Sequence, residues 1–185
     1  TGDLAAKAKA TKTALVVGTT GLDDGAHRAL QDAASVVPVV FAPNFSVGVN
    51  VLFHLAREAT RLLGSDYDAE IVEMHHRHKV DAPSGTAVRL ADVVREAKGV
   101  GNDALVYGRQ GQVGARKADE IGVMTLRGGD VIGDHSLILA GEGERLELGH
   151  RAGDRGLFAR GAVRAALWTR GQEPGFFGME HVLGI

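Results

Sequence analysis

No cysteine occurs among the 185 residues. That absence excludes disulfides and thiol catalysis, and it fits a reducing, cytoplasmic setting. A basic surplus is missing too. Lys and Arg number 21 against 23 Asp and Glu, for a formal net charge of -2, so nothing favours nucleic acid or an anionic membrane as partner. The longest apolar runs, such as residues 36–42, fall far short of a membrane span, and Lys7, Lys9 and Lys12 precede no hydrophobic signal core. The sequence contains no G-x-G-x-x-G, no Walker lysine and no H-E-x-x-H. The usual pyrophosphate cradle is therefore absent, and three clustered histidines with an arginine among them make a poor metal set, so no metal is expected. No repeat of fixed period and no low-complexity linker is visible.

What is present is ordinary in bulk: 44% apolar and 24% charged residues, in a chain long enough for one domain or two small ones. Glycine is frequent, at 26 residues, and falls between periodic segments, so it marks turns. Residues 1–13 read as the end of a helix. Ala14 to Val17 is a short apolar strand entering Gly18-Thr19-Thr20-Gly21, and Leu22, Ala26, Ala29, Leu30 and Ala33 follow at helical spacing. Residues 36–42 form a second strand, with Pro38 at an edge or among its first residues. Apolar strands alternating with amphipathic helices indicate a parallel sheet covered on both faces. Its ligands belong at the strands' carboxyl ends, which sets Gly18, Thr19 and Thr20 beside Ala42, Pro43, Asn44 and Phe45.

A long helix begins at Ser46 and stops at Gly64, with Asn50 and His54 expected on an exposed polar face. Another runs from about Thr86 to Gly99. After a polar, glycine-rich stretch, residues 121–126, 131–140 and 145–149 read as a hairpin-linked meander, antiparallel beside the parallel part. A last helix spans about 154–170, and the tail carrying Phe176 and Phe177 is expected to pack down. The fold class is therefore α/β: a partial parallel sheet plus an α+β domain with a mixed, largely antiparallel open sheet.

The middle of the chain is chemically the densest. Between a strand and a helix entrance stands E-M-H-H-R-H-K-V-D-A-P-S-G-T, residues 73–86. His75, His76, Arg77, His78 and Lys79 are consecutive. Ser84, Gly85 and Thr86 then offer hydroxyls and backbone N–H groups at the positive end of a helix. Such a run is a solvated loop with an ordinary helix cap, or it is a socket for a carboxylate-bearing small molecule with a histidine and a lysine to move protons.

Residues 73–87 resemble the signature of the dihydrodipicolinate reductase (4-hydroxy-tetrahydrodipicolinate reductase) family. The likeness extends, in order, through residues 17–21, 41–50, 127–135 and 161–168. It implies a Rossmann-like cofactor domain from residues 1–46 and 154–185, and a substrate-binding and tetramerisation domain from residues 47–153. By the same resemblance His75 is the acid/base histidine and Lys79 the proton donor to carbon; like charge on His76 and Arg77 is expected, on electrostatic grounds, to ease that release. His76, Ser84, Gly85 and Thr86 hold the carboxylates of a cyclic dicarboxylate. Gly18, Thr19, Thr20, Ala42, Pro43, Asn44 and Phe45 contact NADH or NADPH, and the assembly is a homotetramer. By the same resemblance the chain is expected to start roughly 80 residues into the family's pattern, without the glycine-rich half of its dinucleotide domain. The competing expectation is a non-catalytic dicarboxylate-binding or subunit-assembly module of the same fold.

Overall fold

The computed structural model describes residues 1–185. In chain order the elements are α1 (Gly2–Thr11), β1 (Leu15–Val17), α2 (Asp24–Ala34), β2 (Pro38–Phe41), α3 (Val47–Leu63), β3 (Asp68–His75), α4 (Gly85–Lys98), β4 (Leu105–Tyr107), β5 (Ile121–Arg127), β6 (Asp134–Ala140), β7 (Arg145–Arg151), α5 (Gly156–Trp168), β8 (Gly175–Phe177) and α6 (Met179–Leu183). Local chemistry sets several of the boundaries. Asp23 caps α2 by accepting the Ala26 N–H at 2.7 Å, and α4 ends where Gly99 takes a left-handed conformation at φ 69°. The chain divides into two compact units, residues 1–50 with 155–185, and residues 51–154.

The first unit holds a three-stranded, all-parallel sheet in the order β1-β2-β8. Side chains alternate across it, so neighbouring residues of β2 enter different cores. Val39 packs with Ala5, Val17, Leu30 and Ala33 under α1 and α2. Val40 packs with Phe45, Ala165, Met179 and Val182 under α5 and α6. Both faces are covered, as the apolar strands require. Pro38 opens β2, which is the central strand, so its missing N–H falls at the start of the ladder. The tail packs down by supplying β8 beside β2.

The second unit is built on a five-stranded sheet ordered β4-β5-β3-β6-β7. Along β3 burial alternates strictly, with Ala69, Ile71, Glu73 and His75 on the covered face. Ile71, Ile121, Val123, Leu137 and Leu139 join Leu52 and Ala56 of α3 and Leu90, Ala91, Val93 and Val94 of α4 in one core. The opposite face carries Val72, Met74, Met124, Leu126 and Ile138. At one end Arg109 folds the preceding loop onto that face, gripping Glu70 at 3.0 and 2.9 Å.

Two expectations need correction here. The strands at 121–127 and 134–140 are not a hairpin: β3 lies between them, parallel to β5 and antiparallel to β6. Only β6 and β7 form a hairpin, and β4 adds a further parallel pair. The sheet thus has two parallel and two antiparallel pairings and is not largely antiparallel. Residues 127–133 cross the carboxyl end of β3 and are pinned to it: Gly128 N–H donates to the His75 carbonyl (2.9 Å) and Arg77 N–H to the Gly129 carbonyl (3.2 Å).

Candidate active site

The carboxyl end of β3 delivers two ionisable side chains to the covered face. Glu73 is fully buried. Its Oε2 lies 2.6 Å from His75 Nδ1 and accepts from an Arg127 guanidinium nitrogen at 2.9 Å. Its Oε1 accepts the other guanidinium nitrogen at 3.0 Å, the Ser84 backbone N–H at 3.0 Å and the Thr125 hydroxyl at 3.3 Å. Burial opposes ionisation of Glu73 and is the largest single influence on it. The bonds from Arg127, then His75, then Ser84 together outweigh it and hold the carboxyl below its ordinary range.

His135, opposite Glu73 on β6, closes the group from the other side. Its ring meets the His75 ring edge-on with centroids 5.1 Å apart, and its Nε2 lies 3.0 Å from Ser84 Oγ. Burial, followed by the nearby His75, pushes His135 down to about 4, so it is neutral near pH 7. Ser84 is itself buried and caps α4 through the Ala87 N–H (3.2 Å). The helix entrance is therefore clamped on both sides, by the Glu73 carboxylate at the Ser84 N–H and by His135 at its hydroxyl.

The five consecutive basic residues do not make one cationic patch. His75 is buried against Glu73, whereas Arg77 and His78 are exposed. The rings of His76 and His78 lie 6.3 Å apart. Lys79 Nζ donates to Asp81 Oδ1 at 2.8 Å. Its ion-pair partner is thus a carboxylate. Lys79 in turn, by its hydrogen bond first, keeps the Asp81 carboxyl below the usual value. Gly85 opens α4 with an exposed backbone, and Thr86 follows half-buried. His75, Ser84 and the start of α4 are thus brought together, with Lys79 on the loop between β3 and α4.

Sequence reasoning did not single out Glu73, Arg127 and His135, which the structure brings together with His75 and Ser84. For Glu73 a signal existed: it occupies the core register of an alternating strand, where an unpartnered carboxylate would be costly.

In the first unit, Gly18 and Ala42 follow paired strands, joined by the Ala42 N–H to the Val17 carbonyl at 3.1 Å. A Cβ on Gly18 would lie 3.2 Å from the buried Phe45 ring. Thr19, Thr20 and Pro43 are exposed beyond them. Asn44 turns the chain into α3 by accepting the Ser46 N–H at 2.8 Å. Asn50 does not lie on an exposed polar face: it is half-buried and donates to the carbonyls of Asn44 (2.9 Å) and Ser46 (2.7 Å). Gly18 and the exposed Thr19, Thr20 and Pro43 lie at two strand ends, where a parallel sheet places its ligands. Nothing in these segments supplies a pyrophosphate cradle.

The family model for the C-terminus of dihydrodipicolinate reductase matches residues 48–183, and that for its N-terminus matches residues 1–45. The 4-hydroxy-tetrahydrodipicolinate reductase of Akkermansia muciniphila is 54% identical over 100% of this chain and 76% of its own length. That of Anaeromyxobacter dehalogenans is 56% identical over 93% of this chain, which spans 64% of that relative. Among solved structures, dipicolinate-bound dihydrodipicolinate reductase from Paenisporosarcina sp. TG-14 superposes with a TM-score of 0.76 at 25% identity, covering 97% of this chain and 68% of the other. With nearly every residue matched by the two family models, the chain belongs to the dihydrodipicolinate reductase family.

Proposed function

We propose that this chain carries the reductase chemistry of its family: 4-hydroxy-tetrahydrodipicolinate loses its hydroxyl as water to give dihydrodipicolinate, and hydride from NADH or NADPH with one proton reduces that ring to tetrahydrodipicolinate, in lysine and diaminopimelate biosynthesis in the cytoplasm. The observation that carries the reading is the doubly clamped Ser84, which fixes the amino end of α4 beside His75. Gly85 and Thr86, with His76 and the Ser84 segment, hold the carboxylates of the cyclic substrate at the positive end of that helix. Lys79 leaves Asp81 and protonates the ring carbon beside the one reduced, while His75 serves as the acid/base group.

Gly18, Thr19, Thr20, Ala42, Pro43, Asn44 and Phe45 hold the nicotinamide end of the cofactor, which supplies the hydride. Residues 1–46 and 154–185 then serve the cofactor, and residues 47–153 the substrate and assembly. The open face of the five-stranded sheet, with Met74, Met124, Leu126 and Ile138, supports a homotetramer in which sister copies cover it.

Two measurements test the reading. Calorimetry with dipicolinate is expected to show binding that weakens when Lys79 or His76 is replaced by alanine. Oxidation of NADH or NADPH with the family substrate is expected to report turnover. Dipicolinate heat without turnover would leave a binding module, and no heat at all would contradict the site.

A further inference from the structure

We propose that Glu73 is a positioning residue for His75: it fixes the imidazole with its proton on Nδ1, so that Nε2 alone faces the reaction, and it ties that setting to the helix mouth. The inference rests on the reading of His75 as the acid/base group.

Glu73 stands two residues before His75 on one strand, and strand periodicity puts both on the same face. A carboxylate can only accept hydrogen bonds. The His75 nitrogen 2.6 Å away must therefore be the donor. Arg127 keeps the carboxylate charged with two bonds, at 2.9 and 3.0 Å, and no solvent reaches it. With Nδ1 committed, neutral His75 has its only lone pair on Nε2.

The surroundings of Nε2 match that role. A Cβ built on Gly133 would come within 2.9 Å of this nitrogen, so the glycine leaves space where a side chain would intrude. The second carboxylate oxygen accepts the Ser84 N–H at the start of α4. One buried group thus sets both the orientation of the proton-transfer nitrogen and the position of the helix that grips the substrate. Lys79 and Asp81 differ, since Asp81 is exposed and their pair is free to rearrange.

The test is imidazole nitrogen NMR on the whole chain, joined to steady-state kinetics. Wild-type His75, when neutral, is expected as the Nδ1–H tautomer. In Glu73→Gln that single tautomer is expected to be lost, with kcat lowered about 10²–10⁴-fold, KM changed far less because the amide oxygen can still accept the Ser84 N–H, and the pH profile displaced. A wild-type Nε2–H tautomer overturns the proposal, and so does a folded Glu73→Gln protein with wild-type tautomer and kcat. If Glu73→Gln does not fold, the wild-type tautomer decides alone. Lack of turnover in the wild-type chain counts against the assigned reaction, and the tautomer then remains the test of Glu73.

Discussion

Arg127 and Glu73 lie 54 positions apart in sequence and meet as a two-pronged ion pair, at 2.9 and 3.0 Å, across neighbouring parallel strands. Glu73 is wholly buried and Arg127 mostly so. Removing one partner would leave a buried charge unpaired, which costs about 3–5 kcal/mol. Arg127→Leu is therefore expected to lower unfolding free energy by about that amount in urea titrations. Arg127→Leu combined with Glu73→Gln should recover part of the loss, because no bare carboxylate remains.

Stability should fall on mild acidification. His135 takes up a proton near its ordinary 6.5 when unfolded but only at about 4 when folded. Between those values the unfolded state binds more protons, so stability rises with pH and this contribution is complete only above 6.5. From pH 7 to 5 the loss from this residue is about 2 kcal/mol. Glu73, held below its ordinary value, extends the loss to lower pH. His150, lowered by burial, acts in the same direction as His135. Comparing wild type with His135→Gln isolates His135: the variant's urea midpoint should change less between pH 7 and 5.

Lys79→Ala should reduce kcat about 10²–10⁴-fold, the range for removing a general acid, with a smaller change in affinity. Steady-state kinetics distinguishes this from an anchoring role, which would chiefly raise KM with kcat kept. Asp81→Asn removes the carboxylate that holds Lys79 at rest. It should tighten dipicolinate binding a few-fold in calorimetry, since an exposed pair of this kind is worth about 1 kcal/mol or less.

Gly161 lies inside α5, where alanine normally stabilises a helix by about 1 kcal/mol. A Cβ there would come 1.7 Å from the Phe45 carbonyl oxygen. The clash reverses the sign, so Gly161→Ala should lower the thermal midpoint. The displaced Phe45 segment should also weaken NADH or NADPH binding.

Much of this was legible locally. The alternation of residues 69–75 marks β3, Ser84 marks the start of α4 and Gly99 its end. What depends on distant pairing was not. β5 and β6 are neighbours in sequence and read as a hairpin, and nothing in their own residues says that β3 inserts between them. β4 and β8 have three residues each, too few for a period to emerge. Arg127 and His135 reach the site only through strand register. The Lys79–Asp81 pair depends on the loop's path, which no periodicity encodes.

The central claim is that a cyclic dicarboxylate sits between the amino end of α4 and His75. Titrating dipicolinate into isotope-labelled protein, and following backbone amides together with imidazole nitrogens, tests it most directly. The account predicts saturable shifts at Gly85, Thr86 and His75 Nε2 that Lys79→Ala weakens. Shifts confined to other parts of the chain, with these three groups unmoved at saturation, would contradict it.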